Sequence, residues 1–212
     1  MSNLRVGRRR YYNIFSYFYD SFIKLHSRNY GEETRKFLAD SARLEKKTAP
    51  RALDICCGTG SVILSFAERF PDITAIGCDF SHGMLRKAQE KDVLRRLALI
   101  EGDAANLPFV DNLFDAVCCS HALYELKGPV RKEALLEMRR VVKSSGRVLI
   151  MEHEVPRKLF IKILFFIRML MMGPKDSYEF LKQGISPFKN IFSEVTLSHT
   201  KSGKSKLFLC QK

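Results

Sequence analysis

The run Leu53-Asp54-Ile55-Cys56-Cys57-Gly58-Thr59-Gly60 constrains this chain more than any other stretch. Its apolar start reads as a buried strand, its end as a glycine-rich turn, and the stretch from Ser61 to Phe70 continues it as a helix. An acid near a strand end followed by Gly-x-Gly lets a ligand approach the backbone where a side chain would collide, and leaves amide N–H groups facing it. A tight turn with no ligand has the same local look. A second strand follows, from Thr74 to Cys78, and ends in Asp79. That acid lies about twenty residues beyond the glycines, where a nucleotide-binding βαβ unit places a carboxylate on the ribose hydroxyls. A dinucleotide fingerprint needs a third glycine three residues after the second; here the position is Ile63, which argues against NAD and FAD.

Elements alternate after this turn, and the alternation predicts an α/β protein with a doubly wound, Rossmann-like parallel sheet. Ser81 is placed to cap a helix running from Gly83 to Lys91. Further strands are expected from Leu97 to Gly102, from Ala116 to Ser120 and from Arg147 to Glu152, the last entered through a Ser144-Ser145-Gly146 turn. A helix from Arg131 to Val142 carries Ala134, Leu135 and Met138 at helical spacing. A short helix between Lys175 and Gly184 precedes strands from Phe192 to His199 and from Lys206 to Cys210, joined by a turn-rich hairpin connection. Ahead of the core, residues from Tyr11 to Lys46 read as helix broken near Arg28-Asn29-Tyr30-Gly31. Tyr11, Tyr12, Phe15, Tyr17, Phe18, Tyr19 and Phe22, beside Arg8–Arg10, could stack a base, grip a lipid or pack as a lid.

Composition bounds the rest. A chain of 212 residues with 46% apolar content suits one domain: a helical lid over 1–46, a core over 51–152, a substrate or lid segment over 153–190 and a hairpin over 191–212. The six cysteines include the adjacent pairs Cys56-Cys57 and Cys118-Cys119, read as strand residues pointing to opposite faces in a reducing compartment; their spacing suits no zinc site, so no metal is expected. The N-terminus lacks the apolar run of a signal peptide, so a cytoplasmic location is expected. The formal charge of +13 suits an acidic partner, whether nucleic acid, an anionic membrane surface or an anionic substrate, and equally a basic protein with no such partner; charge alone does not choose. No Asn-Pro-Pro-Tyr-type motif and no Pro-Cys nucleophile is found, which weighs against nucleic acid. The stretch from Arg157 to Met172 puts Leu159, Phe160, Ile163, Leu164, Phe166, Ile167, Leu170 and Met171 on a broad helical face beside Arg157, Lys158, Lys162 and Arg168. It is too short to span a bilayer; it could lie on one as a peripheral anchor, or cover the active site.

Six elements in order carry a resemblance to class I S-adenosylmethionine-dependent methyltransferases. They are the Leu53–Gly60 turn, Asp79, Glu101-Gly102-Asp103-Ala104, Leu107-Pro108-Phe109, Phe114-Asp115-Ala116-Val117 and Ser145-Gly146-Arg147-Val148-Leu149-Ile150. The resemblance implies a seven-stranded sheet with an antiparallel last strand, and S-adenosyl-L-methionine as cofactor. It implies that Gly58 and Gly60, with Cys56 and Thr59 of the same turn, face the methionine portion and ribose, and that Asp54 orients the turn and the aminoacyl ammonium. Asp79, with Phe80 and Met84 after it, would take the ribose hydroxyls, and Gly102, Asp103 and Ala104 the adenine edge. Ser120 and His121 would face the methyl group.

In-line methyl transfer needs alignment and, for some acceptors, one base. His121 is the best-placed candidate at a strand end, with Tyr124, His153 and Glu152 beside it. Tyr19-Asp20, Ala104-Ala105-Asn106-Leu107-Pro108-Phe109, Val148-Leu149-Ile150-Met151-Glu152 followed by Pro156, and Asp176-Ser177-Tyr178 are similar to the ubiquinone/menaquinone C-methyltransferase family, implying a small, lipid-like acceptor such as a quinol precursor. That family carries a Gly-Leu-Arg-Asn run after the fourth strand, where this chain has His121-Ala122-Leu123-Tyr124-Glu125. A phospholipid amine or another small molecule therefore stays open as acceptor, as does a non-catalytic, cofactor-binding scaffold. The oligomeric state has no sequence signal.

Overall fold

A computed structural model describes residues 3–27, 30–156, 159–160, 162–163, 165–166 and 176–212. Two helices, α1 (Asn3–Ser27) and α2 (Tyr30–Ser41), lead into β1 (Arg51–Ile55), α3 (Ser61–Arg69), β2 (Thr74–Asp79), α4 (His82–Lys91) and β3 (Leu97–Glu101). Then come β4 (Phe114–Ser120), a 3-10 turn (Leu123–Glu125), α5 (Gly128–Val141), β5 (Val142–His153), α6 (Ser177–Lys182), α7 (Ser186–Lys189), β6 (Glu194–His199) and β7 (Ser205–Gln211).

The strands form one seven-stranded sheet in the order β3-β2-β1-β4-β5-β7-β6. β1 to β5 pair in parallel, and β7 runs antiparallel to both β5 and β6. Only β7 therefore opposes the rest. Strand alternation sends neighbouring residues into two cores. Leu53, Ile55, Val117, Cys119, Val148 and Ile150 face one side, against Ala134, Leu135 and Met138 of α5 and Phe180 and Phe188 of the short helices. Ala52, Ala116, Cys118, Leu149 and Met151 face the other, against Leu38 of α2 and Ile63 and Phe66 of α3. β4 lies at the centre, buried along its length up to the edge residue Ser120, as a parallel strand covered on both faces requires.

Several expectations are corrected. β5 begins at Val142, so the expected Ser144-Ser145-Gly146 turn is absorbed into the strand. Phe114 pairs with Val142 and Ala116 with Arg147, and the surplus residues on β5 are taken up as an irregularity in the ladder. α1 begins at Asn3, well before Tyr11, and α2 ends at Ser41, short of Lys46. α5 begins at Gly128, with Pro129 near its start, where its fixed φ suits a first turn. Cys118 and Cys119 do point to opposite faces of β4, but Cys56 and Cys57 lie beyond β1 in the turn, because Cys56 adopts φ +55°. All six cysteines are free thiols.

Of the stretch from Arg157 to Met172, residues 159–160, 162–163 and 165–166 are helical; Arg157, Lys158, Leu164, Ile167, Arg168, Leu170 and Met171 lie outside the described residues, as do Gly173, Pro174 and Lys175. Leu159, Phe160, Ile163 and Phe166 are exposed, while Phe165 packs inward. Among the described residues, no helix is long and apolar enough to cross a membrane.

Candidate active site

The strand order reverses direction of travel between β1 and β4, and ligands of open α/β sheets bind at the carboxyl ends of the strands beside such a point. The backbone is unusual in both bordering strands: Cys56 after β1 has φ +55° and His121 after β4 has φ +53°. Non-glycine residues rarely take the left-handed region, and where they do the surrounding structure holds them there.

In the turn after β1, Gly58 (φ +54°) has nothing within 4 Å of where a Cβ would stand, so an open cradle lies against its backbone. Gly60 (φ +75°) precedes α3, and a Cβ there would sit 2.9 Å from that of Ala88. Gly60 therefore requires glycine, while at Gly58 the positive φ favours it. Asp79 organises this turn: its Oδ2 accepts from the Gly58 N–H (2.9 Å) and its Oδ1 from the Ser81 N–H (2.9 Å). Burial pushes the Asp79 carboxyl up to about 6 against the pull of these amides. Ser81 in turn accepts from the Met84 N–H, so that amide is spent on capping α4 and the Met84 side chain is buried.

Asp54 is fully buried at the end of β1. Cys118 Sγ donates to its Oδ1 at 3.4 Å, and its Oδ2 has no partner among the described residues. Burial pushes this carboxyl up to about 7, and Asp79 adds to the rise. An orphaned, buried carboxylate oxygen beside an open glycine cradle suits a cationic ligand group. Gly102 and Asp103 follow β3: the Gly102 N–H bonds the Asp79 carbonyl (3.0 Å), the Asp103 carboxylate accepts from the Ala105 N–H (3.0 Å), and Ala104 is buried in the core beside them. The chemistry of this set fits S-adenosyl-L-methionine: acids for an ammonium and for ribose hydroxyls, and backbone open to close approach. The Thr59 hydroxyl donates to Asp20 of α1 (2.8 Å) and accepts from Lys91 (2.7 Å).

On the β4 side, Ser120 Oγ lies 3.0 Å from His121 Nδ1, and His121 Nε2 lies 3.0 Å from Ser205 Oγ on β7. The His121 ring stands 4.4 Å from that of His153, which is 5.5 Å from Tyr124 and 6.1 Å from Phe165. The structure thus brings His121, Tyr124 and His153 together, walled by an aromatic ring. Glu152 does something else: it is wholly buried, its Oε1 accepts from the Tyr124 N–H (3.2 Å), and burial pushes it up to about 8. Glu152 thus holds the start of the 3-10 turn from beneath.

Sequence reasoning missed the groups that close the site from above. Glu125 receives the hydroxyls of Tyr12 and Tyr124 and the Arg8 guanidinium (2.9 Å). Desolvation beside this acid holds the Tyr12 phenol far above its ordinary value. The Tyr12 ring meets Phe80 edge-on at 5.7 Å. Asn13 Oδ1 accepts from Ser81 Oγ (2.7 Å) and from the Gly83 N–H (3.0 Å), so α1 caps α4 from outside. Further along, Lys91 donates to Asp20 (2.7 Å), Thr59 and Ser61. α1 is therefore strapped across the strand ends from β4 to the glycine turn. The sequence signal that could have found Glu125 is the departure of His121–Glu125 from the family run, which sequence reasoning applied only to the acceptor. Among the described residues no cluster of His, Cys, Asp or Glu is arranged to hold a metal ion.

Residues 52–146 match the family model described as a methyltransferase domain. The demethylmenaquinone methyltransferase of Staphylococcus saprophyticus is 34% identical over 173 residues, 73% of this chain and 73% of that protein. That of a Geobacillus species is 33% identical over 169 residues, covering 76% and 71%. A SAM-dependent methyltransferase of Aquifex aeolicus superposes with TM-score 0.64 at 16% identity over 90% of this chain and 96% of that one, a likeness of fold. The turn built around Asp79, the sheet order and these relatives converge: the chain is a class I S-adenosylmethionine-dependent methyltransferase and belongs to the family that includes the demethylmenaquinone methyltransferases.

Proposed function

We propose that the protein transfers a methyl group to a ring carbon of a small, lipid-like quinol. The observation that carries this reading is the likeness, over nearly three quarters of both chains, to an enzyme named for demethylmenaquinone. When bound, S-adenosyl-L-methionine supplies an electrophilic methyl group on a sulfonium. The Gly58 and Gly60 backbone and the Asp54 carboxylate would hold its amino-acid end, Asp79 its ribose hydroxyls, and Asp103 with the Ala104 amide its adenine edge. Gly102 brings β3 against β2 so that these groups meet.

The chain's remaining task is to align the acceptor and take its proton. Deprotonating a quinol hydroxyl pushes electron density onto the ring carbon that attacks the methyl group, and the hydrogen this carbon carried then passes to the oxygen, which restores the aromatic ring and the hydroxyl. His121 and His153 receive the hydroxyl proton, and Ser120 and Ser205 fix the His121 ring from both sides. Tyr124 and Phe165 bound the pocket with flat apolar faces suited to a ring. α1 excludes water through the Tyr12 and Arg8 contacts to Glu125. Its closure strengthens every electrostatic contact beneath it.

One observation favours a second reading, an amine-bearing lipid. Where the quinone family carries Arg-Asn, this chain presents Tyr124-Glu125, an acid beside aromatic rings that holds the Arg8 cation. An acceptor ammonium could take the place of Arg8 there. The test incubates the protein with methyl-labelled cofactor and either a short-chain demethylated menaquinol or phosphatidylethanolamine vesicles. Label in the quinol supports the proposal, label in the phospholipid alone transfers it to the second reading, and label in neither overturns both.

A further inference from the structure

Helix α1 docks through a mixed face, with Tyr12 against Phe80, and leaves a second, apolar face outside. Asn13, Ser16 and Asp20 turn toward the protein: Asn13 holds Ser81 and Gly83, Ser16 is 1% exposed, and Asp20 holds Thr59 and Lys91. The approach is close, since a Cβ on Gly83 would lie 2.8 Å from the Asn13 backbone. The opposite face shows Tyr11 (50% exposed), Ile14 (60%), Tyr17 (60%) and Phe18 (67%), with Arg10 among them. Positions 11, 14 and 18 form a single stripe at helical spacing. A soluble helix ordinarily buries such a stripe, so this one is built to meet something apolar.

Charge says what. Arg8 and Arg9 of α1 turn inward to Glu125 and Glu101, but Arg10 is exposed beside the stripe, and the one acid of the helix, Asp20, faces inward. Arg86 and Lys87 of α4 add two cations beneath the Tyr17 ring, at 4.9 and 5.5 Å. Two copies of this face pressed together would set arginines against arginines, which disfavours self-association. An apolar stripe of Tyr, Ile and Phe flanked by arginines is the composition of a helix lying in the interface of an anionic bilayer, rings at headgroup depth and cations on the phosphates. The exposed Leu159 and Phe160 belong to the segment whose Phe165 packs on His153, and the Tyr12 end of α1 reaches the neighbouring Tyr124 through Glu125. Both apolar surfaces thus flank one rim, at the carboxyl ends of β4 and β5.

We propose that the outer face of α1 docks the protein on an anionic lipid surface, with the strand ends turned toward the membrane. Docking is a binding event that needs neither cofactor nor acceptor, so it stands apart from the acceptor assignment. The test is co-sedimentation of the full chain with vesicles of phosphatidylcholine alone or mixed with phosphatidylglycerol, at low and high salt. Wild-type protein is expected to bind the mixed vesicles and to lose binding as salt screens the arginines. Ile14→Ser/Phe18→Ser should weaken binding by at least roughly tenfold, and Arg10→Glu should weaken it on mixed vesicles only. All three side chains face away from the cleft, so cofactor affinity and melting temperature stay unchanged in these variants. No binding to mixed vesicles at low salt, or binding indifferent to Ile14→Ser/Phe18→Ser, overturns the proposal. So does a dimer, seen by analytical ultracentrifugation, that Ile14→Ser/Phe18→Ser converts to monomer.

Discussion

Replacing Glu152 by Gln isolates the cost of a buried acid. Burial moves its carboxyl from 4.5 up to about 8, so between those limits the folded protein holds a proton that the unfolded chain has released. The unfolded state binds fewer protons, and stability therefore falls as pH rises, by about 1.4 kcal/mol per pH unit. At pH 7, roughly 2.5 pH units above the ordinary glutamate value, the cost is about 3 kcal/mol. Gln carries no such cost. Its carbonyl can still accept from the Tyr124 N–H, but its amide puts a donor where Oε2 has no partner among the described residues, a loss of about 1–2 kcal/mol. The variant should be less stable than wild type near pH 5, by about 1 kcal/mol, and more stable at pH 7, by about 1–2 kcal/mol. At roughly 2–4 °C per kcal/mol for a chain of this size, the melting difference changes sign across that range. Thermal melts of both proteins from about pH 5 to about pH 9 measure it, and the subtraction cancels Asp54 and Asp79, whose raised values give the same sign. A difference that stays flat with pH would refute the claim that Glu152 is buried as the acid.

Asp79→Ala removes the acceptor of the Gly58 and Ser81 amides, and should weaken S-adenosylmethionine binding by about 2–3 kcal/mol; calorimetry on the folded variant checks it, and unchanged affinity would refute the assigned role. Gly60→Ala forces a Cβ into Ala88 at a φ of +75°, and should cost about 1–3 kcal/mol in a denaturant titration; a wild-type midpoint would count against the turn as described. His121→Ala should lower kcat by about 100-fold with cofactor affinity held, and Ser205→Ala by less, because Ser205 only positions the ring; a stability loss with full activity per folded molecule would make His121 structural.

The core of the fold was legible from local chemistry. A buried strand, a turn that only glycine can make, and an acid ending the next strand are statements about sterics and spacing, and both glycines do sit at positive φ. Strand–helix alternation and helical periodicity likewise depend on neighbours in the chain, which is why sheet class and helix positions emerged while the Gly146 turn, settled by pairing with β4, did not. What tertiary structure decided are meetings between distant residues. Glu125 is joined by Arg8 and Tyr12, and His121 by Ser205, contacts that no local window contains. The raised carboxyls of Asp54, Asp79 and Glu152 arise from burial, a property of packing. The orientation of α1 is the clearest case. Its sequence shows an apolar stripe, but the glycine turn and the α4 cap offer hydrogen-bonding groups, so Asn13, Ser16 and Asp20 dock the helix beside Tyr12, and Tyr11, Ile14, Tyr17 and Phe18 are left outside.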